Sequence, residues 1–444
     1  MQILRFPPFR LTLLAWLAVL VAAGWFVRPL PAAATRASIG FSTLYTAGRL
    51  MLEGSSLSQA YDDAWFGVQV RRFAPSVPEI YRPNPPAAAL LGITVAWMDY
   101  RGARIAWTLA SLAALAAITL WMVRHLDAAG LAVPGCVLFV LLFQPIRACL
   151  WFGQAYILLL FLLILGFEGL RSERPPQAGV SLGAILGFKL TVPLIALVLL
   201  KRRHWKTMAW MSATVIAVCL VSLVWPGTEC WRAWLSYLSR PAAVAGWRAE
   251  AVTAYQTIPG FFAHLTRFDA RWNPSPSFDA PRLGRVLSVT ATVLLVAAST
   301  VRTARSTDPA LPIAMLTLTS LVVSPWTLDY HYPLTLLPIV IVMGVLWDRA
   351  AGFPLWSVLA LGALLLSVPQ RWYGAPALQS GARALLAYPK LYGALVIWGL
   401  AFALSSESSL TTVSSVPAPD QKRASRPSRS AGWRHVQRLA LGWP

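Results

Sequence analysis

Long apolar runs, separated by short basic connections, dominate the pattern of this chain. The first run, Leu11 to Val27, follows Arg5 and Arg10, and further runs recur up to Leu404. Runs of about 20 apolar residues have the length of a helix that crosses a bilayer. Because a segment in lipid must satisfy its own backbone hydrogen bonds, helices are expected and open sheets are not. The pattern predicts an all-α polytopic membrane protein with about eleven or twelve transmembrane helices.

The first apolar run has two interpretations. The small residues Ala32, Ala33 and Ala34 that follow it are compatible with a cleaved signal peptide. Its length exceeds the roughly 7 to 15 residues of a signal-peptide core, which favours a retained first helix. With Arg5 and Arg10 on the inner side, the following segment, residues 28–85, faces the periplasm or the exterior.

Two polar stretches interrupt the apolar runs, and a third closes the chain. The exterior loop 28–85 contains the segment Phe41 to Leu52, which is predicted to be an amphipathic helix on the membrane surface. A second polar loop covers residues 226–284. From residue 405 the chain is rich in Ser, Thr, Pro, Lys and Arg, a composition typical of disorder. The sequence therefore predicts one membrane-embedded domain, 1–404, and a disordered basic tail, 405–444.

Composition and charge exclude several classes of protein. Of the 444 residues 57% are hydrophobic and 12% are charged, whereas a soluble globular protein has about 25% charged residues. The 38 Lys and Arg residues exceed the 17 Asp and Glu residues, and their place between apolar runs indicates contact with anionic membrane lipids rather than nucleic acid. We find no nucleotide-binding glycine loop and no metal-binding motif, so neither a cofactor nor a metal is predicted.

The run from Ala178 to Leu200 contains a lone lysine, Lys189. Arg171 to Arg174 before the run and Lys201 to Arg203 after it both favour the cytoplasm, which conflicts with a single crossing. Either the run is a hairpin of two short helices that folds at Gly187-Phe188-Lys189, with Pro193 allowing the break, or one of the two loops departs from the rule. The Lys189 ammonium suits the phosphate of a lipid-linked substrate, and the alternative is a lysine that extends from a helix end toward water.

A second polar cluster, Asp329 and His331, lies between two apolar runs and two prolines. Residues two apart do not share a helix face, so their spacing alone does not make them a catalytic dyad. Either side chain can act on a substrate hydroxyl or phosphate, and the alternative is that they cap the following helix. Gln154 and Gln256 lie at the edges of apolar helices, where an amide can hold a sugar hydroxyl or cap a helix.

The order of short motifs along the chain resembles glycosyltransferase family 87, the polyprenyl-phosphate-mannose-dependent mannosyltransferases of the membrane-embedded C-type glycosyltransferase fold. The resemblance covers about Phe41 to Leu337. In the family an aspartate, the expected general base, usually precedes the first motif, and this chain has Gly40 there. The motifs are Phe41 to Arg49, Glu53-Gly54, Tyr61-Asp62, Tyr81 to Pro86, Phe152 to Gln154, Gly183 to Lys189, Tyr255 to Thr257 with Arg267 downstream, and Ser324-Pro325 with His331 and Leu336 to Pro338.

The resemblance implies a hexosyltransferase. It moves a hexose, with mannose as the expected sugar, from a polyprenyl-phosphate donor to a lipid or glycan acceptor, on the periplasmic or exterior face of the plasma (inner) membrane. Two alternatives stay open: a family member that has lost catalysis, and a transporter or flippase of lipid-linked saccharides.

The resemblance also assigns roles to individual residues. Because Gly40 carries no acid, the base is expected to be Asp62 first and then Asp63 or Asp329, with His331 as a further catalytic candidate. The expected donor-phosphate ligands are Arg49, Arg82, Lys189 and Arg267. The expected sugar or acceptor contacts are Tyr45, Tyr81, Gln154 and Gln256.

Overall fold

The computed structural model describes residues 9–82, 84–239, 252–270, 273–306 and 308–407. Within these ranges the chain forms α-helices and short 3-10 turns and contains no strand. The prediction of an all-α polytopic membrane fold is confirmed. The tail predicted to be disordered is 405–444: residues 405–407 belong to the last described helix, and the rest of the tail lies outside the described residues.

The helices are numbered here in chain order. The α-helices are α1 (Phe9–Val27), α2 (Leu30–Thr35), α3 (Phe41–Leu52), α4 (Asp63–Arg71), α5 (Ala89–Ala96), α6 (Tyr100–His125), α7 (Ala132–Leu142), α8 (Gln144–Phe152), α9 (Tyr156–Arg171), α10 (Pro175–Lys189), α11 (Ala196–Lys201), α12 (Trp205–Val224), α13 (Thr228–Ser239), α14 (Ile258–Thr266), α15 (Pro281–Arg305), α16 (Ala310–Val323), α17 (Leu336–Asp348), α18 (Phe353–Leu366), α19 (Gln370–Tyr373) and α20 (Pro389–Glu407). The 3-10 turns are Leu57–Tyr61, Pro86–Ala88, Pro193–Ile195, Asp329–Thr335, Pro376–Leu378 and Gly381–Ala387.

The number of helices that are long and apolar enough to cross a membrane is smaller than the eleven or twelve predicted. In the described part of the chain there are five, or up to seven if two bent helix pairs each count as one span. The bent pairs are α7 with α8, at 46°, and Gly381–Ala387 with α20, at 54°. Several apolar runs that suggested spans instead form shorter helices, such as α16 and α18. The five spans are Arg10–Thr35, Tyr100–His125, Trp205–Val224, Pro281–Arg305 and Asp329–Asp348.

Helix α3 has the predicted bounds, but its environment differs from the prediction. Ten of its twelve residues are buried by protein, so the prediction of a surface helix with one apolar side is wrong. Gly48 of α3 and Gly92 of α5 explain the burial, because a Cβ atom built on Gly92 falls 1.8 Å from the Leu44 carbonyl oxygen. Glycine at the crossing lets the two backbones pack in direct contact, and this contact holds α3 deep in the protein.

The apolar run around Lys189 is broken, as one of the two interpretations predicted, but the break follows Lys189 and does not lie at residues 187–189. Helix α10 ends at Lys189, and α11 begins seven residues later after a turn that starts at Pro193. Leu190 and Val192 in the break have positive φ angles, 45° and 53°. Left-handed backbone is costly for a β-branched residue and concentrates at functional sites. The break places Lys189 at the end of a helix instead of in the middle of a span.

The predicted exterior loop 28–85 is a folded region with its own small apolar cluster, formed by α3, α4 and the turn Leu57–Tyr61. Leu50, Phe66, Val70 and Tyr81 are buried in this cluster. The cluster fixes the path of the chain after α4, which brings residues 79 and 80 to the N-terminus of α3. The exterior location of this region stays a prediction.

Candidate active site

A cavity of about 470 Å³ lies where several chain segments meet. Its walls come from the N-terminus of α3, residues 79–82 and 84–85, the junction of α8 and α9, the break after α10, part of α13, and residues 320–331. Most of the lining is apolar, with a few polar groups that converge from different segments, the usual form of a small-molecule site. The lining includes six side chains with a charged, amide or imidazole group: Glu79, Arg82, Asn84, Gln154, Lys189 and His331.

Two cations line the cavity. The Lys189 ammonium donates a hydrogen bond to Oδ1 of Asn84, at 2.5 Å, and lies 5.9 Å from the centre of the Tyr156 ring. Arg82 forms an ion pair with Asp63 and lies over the Tyr237 ring. Lysine binds phosphate as a compact charge and arginine as a planar fork. This pair of cations therefore suits an anionic ligand such as a phosphate.

The cavity also contains a carboxylate, Glu79. It accepts hydrogen bonds from the backbone N–H groups of Gly40 and of Ile80, the latter at 3.2 Å. Burial raises the pKa of Glu79, while the N–H groups, the Thr43 hydroxyl and the Lys189 charge oppose that rise. Of the described residues that line the cavity, Glu79 is the one with an acidic side chain.

His331 has a defined tautomer. Its Nδ1 accepts a hydrogen bond from the Leu328 backbone N–H, at 3.0 Å, so the neutral ring carries its proton on Nε2. The ring packs against Tyr156 and Tyr330, with centroid distances of 4.2 Å and 4.8 Å. This arrangement leaves Nε2–H as a hydrogen-bond donor for a ligand in the cavity.

Gln154 is held at the cavity by the end of α8. Gly153 has a φ of 64° and ends the helix in the left-handed conformation. The side chain of Gln154 then lies against Gly40, where a Cβ atom built on Gly40 falls 1.9 Å from Gln154 Nε2. Buried Arg104 of α6 supports the same turn, because its guanidinium donates to the carbonyl oxygens of Leu150, at 2.8 Å, and of Trp151. Arg104 thereby satisfies carbonyl groups that the end of α8 leaves open.

Asp329 and Gln256 lie behind the cavity wall and not in it. Asp329 forms an ion pair with Lys390 of α20, at 2.7 Å, and both side chains are fully buried. Gln256 donates to the carbonyl oxygens of Thr253 and Ala387, at 2.6 Å and 2.7 Å, and accepts from the Lys390 backbone N–H, at 3.1 Å. The structure therefore gives these two candidates structural partners.

The remaining predicted site residues do not line the cavity either. Asp62 is exposed and caps α4, accepting from the N–H groups of Ala64 and Trp65. Arg49 pairs with Glu53, and Arg267 follows the last residue of α14. Tyr45 donates to the Met98 carbonyl oxygen and Tyr81 to the Pro85 carbonyl oxygen. The cavity thus brings together four of the predicted residues: Arg82, Gln154, Lys189 and His331.

Sequence reasoning missed Glu79 and the aromatic walls of the cavity. Glu79 lies two residues before the motif that begins at Tyr81. Its nearness to that motif is the feature of the sequence that could have identified it as a site residue. Tyr156, Tyr330 and Trp326 line the cavity, but in the sequence they are ordinary aromatic residues at the edges of apolar runs. Only the folded chain shows that they face the same space.

Comparisons with known proteins identify the family of the chain. The model of glycosyltransferase family 87 matches residues 83–325, more than half of the chain. The chain is 28% identical, over 303 residues, to a polyprenol-phosphate-mannose-dependent alpha-(1-2)-phosphatidylinositol mannoside mannosyltransferase of Mycobacterium tuberculosis. That match covers 65% of this chain and 66% of the relative, so the chain spans just under two thirds of the relative's length. No solved structure matches. The chain, a multi-pass membrane protein, belongs to glycosyltransferase family 87.

Proposed function

We propose that this protein transfers mannose from a polyprenyl-phosphate donor to a hydroxyl group of a lipid or glycan acceptor. The observation that carries the proposal is the cavity in which the cations Lys189 and Arg82 lie beside the carboxylate of Glu79. The named activity of the mycobacterial relative supports mannose and a lipid-linked donor. By the same reasoning we place the enzyme in the plasma membrane, with the cavity toward the periplasm or exterior.

The transfer needs three kinds of group from the protein: cations for the departing phosphate, hydrogen-bonding groups for the sugar, and a base for the acceptor. The acceptor oxygen attacks the anomeric carbon, the bond from that carbon to the phosphate oxygen breaks, and the electron pair leaves with the polyprenyl phosphate. Lys189 and Arg82 stabilise the negative charge on the departing phosphate. The His331 Nε2–H and the Gln154 amide are placed to hold sugar hydroxyls, and a base must take the proton of the acceptor.

The test is a transfer assay with purified protein in lipid nanodiscs. Synthetic polyprenyl phosphate carrying radiolabelled mannose is the donor, and a lipid extract supplies acceptors. We expect labelled mannose to appear on an acceptor lipid or glycan, with no labelling from a mannose nucleotide. A protein that neither binds nor consumes the donor contradicts the proposal. Movement of the lipid-linked sugar across the bilayer without any transfer indicates a flippase instead.

Lys189→Ala is expected to weaken donor binding by about 10-fold to 100-fold, because hydrogen bonds to charged groups contribute about 1.5 to 3 kcal/mol. The measurement is the equilibrium affinity of each protein for polyprenyl phosphate mannose. Lys201→Ala is the matched control, because Lys201 is an exposed lysine at the end of the next helix, α11, outside the cavity. Equal donor affinity in Lys189→Ala and wild type contradicts the assignment.

Asp62→Asn is expected to retain transfer activity close to wild type. The Asp62 carboxylate is exposed and caps α4, and asparagine caps a helix about as well as aspartate. The measurement is the initial rate of mannose transfer. A large loss of rate with an unchanged thermal unfolding temperature supports Asp62 as the base, as the sequence alone suggested.

A further inference from the structure

The transfer proposed above requires a group that accepts the proton of the acceptor hydroxyl. Three carboxylates that the sequence offers are engaged elsewhere: Asp62 at a helix cap, Asp63 with Arg82, and Asp329 with Lys390. Glu79 is the acidic side chain that lines the cavity in the part of the chain that the structure describes. It is therefore the carboxylate with direct access to a bound acceptor.

The position of Glu79 is fixed by backbone groups. Its carboxylate accepts the N–H of Gly40, the residue that precedes the first turn of α3, and the N–H of Ile80. The N-terminus of a twelve-residue helix favours a negative charge. Gly40 has no side chain, and the space that a side chain there needs is filled by Gln154. The loop after α4 thus supplies the acid, Glu79, at the start of α3, and Gly40 binds this carboxylate through its backbone N–H.

The surroundings of Glu79 suit a proton acceptor. Burial raises its pKa, and the N–H groups of Gly40 and Ile80, the Thr43 hydroxyl and the Lys189 charge oppose the rise only in part, which brings the carboxylate closer to the range where a base works efficiently near neutral pH. The other charged and titratable groups around the cavity are Arg82, Lys189, Tyr156, Tyr255, Tyr330 and His331.

We propose that Glu79 is the general base of the transfer, an inference that rests on the proposed function. Its carboxylate takes the proton from the acceptor hydroxyl as the acceptor oxygen forms its bond to the anomeric carbon. In the same step the bond between that carbon and the phosphate oxygen breaks, and the electron pair leaves on the polyprenyl phosphate beside Lys189. The protonated Glu79 then returns its proton to water.

The test compares Glu79→Gln with wild type. General-base catalysis contributes about 100-fold to 10,000-fold, so we expect kcat to fall by about that factor while the affinity for polyprenyl phosphate mannose stays close to wild type. Glu229→Gln is the matched control, because it makes the same acid-to-amide change at an exposed position of α13 outside the cavity. Glu79→Asp keeps a carboxylate on a shorter side chain and is expected to retain part of the rate.

The rate of transfer to azide distinguishes a general base from a residue that only supports the structure of the site. Azide attacks the anomeric carbon without losing a proton, so it needs no base and yields mannosyl azide and polyprenyl phosphate. We expect Glu79→Gln to form mannosyl azide at a rate close to that of wild type while transfer to the hydroxyl acceptor is lost.

The pH dependence of wild type provides a second measurement. The rate of hydroxyl transfer is expected to fall as the pH drops through the pKa of Glu79, which lies above the usual range of glutamate, because only the ionised carboxylate accepts a proton.

The outcomes distinguish this inference from the function on which it rests. Wild-type kcat in Glu79→Gln overturns Glu79 as the base and leaves the transferase proposal intact. Loss of azide transfer together with hydroxyl transfer in a folded Glu79→Gln overturns it as well, because the residue then acts on the site as a whole. A wild-type protein that does not consume the donor overturns the proposed function, and the assignment of Glu79 with it.

Discussion

A Gly40→Asp variant is expected to lose stability and transfer activity, although it introduces the acid that the family resemblance leads one to expect at this position. A Cβ atom at position 40 falls 1.9 Å from Gln154 Nε2 and 2.6 Å from Gln154 Cδ, so Gln154 must leave the cavity wall. Gly40 has a φ of 91° and a ψ of −57°, a conformation outside the regions that L-residues ordinarily occupy, which costs an L-residue about 1 to 3 kcal/mol. The added carboxylate also repels Glu79.

The measurements are the thermal unfolding temperature in detergent and the initial rate of mannose transfer. Gly54→Asp is the matched control, because Gly54 also has a positive φ, 72°, but no atom lies within 4 Å of a Cβ built on it. The control introduces the same residue at a positive φ without displacing a neighbouring side chain, so the difference between the two variants reports on the surroundings of Gly40, Gln154 included. A Gly40→Asp variant that is as stable as Gly54→Asp and transfers mannose faster than wild type contradicts the expectation.

The role of Gly40 in the structure differs from the one that the sequence suggests. From the sequence, Gly40 suggests a member of the family that has lost its base. In the structure the Gly40 N–H binds the Glu79 carboxylate, and the absence of a side chain leaves the space that Gln154 fills. We therefore interpret Gly40 and Glu79 as one arrangement in which the acid is supplied by a different segment. The Glu79→Gln experiment tests this interpretation.

The elements of the fold that the sequence predicted well are those set by local signals. The bounds of α3 match the prediction, and the break beside Lys189 occurs before Pro193, where proline interrupts the helix. The burial of α3 was not predictable, because it depends on the contact of Gly48 with Gly92 across two helices. In the described residues fewer helices are long and apolar enough to cross a membrane than the sequence predicted, because an apolar run alone does not distinguish a long helix from a shorter one.

At the site, too, residues marked by a local signal were predicted, and residues defined by distant contacts were not. Lys189 and His331 were found because a polar residue at the edge of an apolar run needs a reason to be there. Glu79 was missed because its partner, Gly40, lies 39 residues away and the contact depends on how the loop folds. Asp329 and Gln256 were assigned to the site because the sequence does not show that Lys390 is their neighbour.

Replacing either member of the buried Asp329–Lys390 pair is expected to destabilise the protein by about 3 to 5 kcal/mol, because a charge then remains buried without its partner. Both side chains are fully buried and 2.7 Å apart, and Lys390 also donates to the Leu366 carbonyl oxygen, at 2.5 Å. The pair ties the turn Asp329–Thr335, which carries His331, to the start of α20. We therefore expect Asp329→Asn and Lys390→Met to reduce transfer activity as well, although neither residue lines the cavity.

The measurement is the free energy of unfolding in mixed detergent micelles for Asp329→Asn, Lys390→Met and the double variant. Because the double variant leaves no unpaired charge, it is expected to be less destabilised than the sum of the two single variants. The exposed pair Glu229 and Arg232 provides the control: its side chains are 63% and 74% exposed, and Glu229→Gln is expected to change the free energy of unfolding by less than about 1 kcal/mol. If the effects of the two single variants add in the double variant, Asp329 and Lys390 are not coupled, and the turn that carries His331 must be held by the hydrogen bonds of Gln256 and Tyr332 instead.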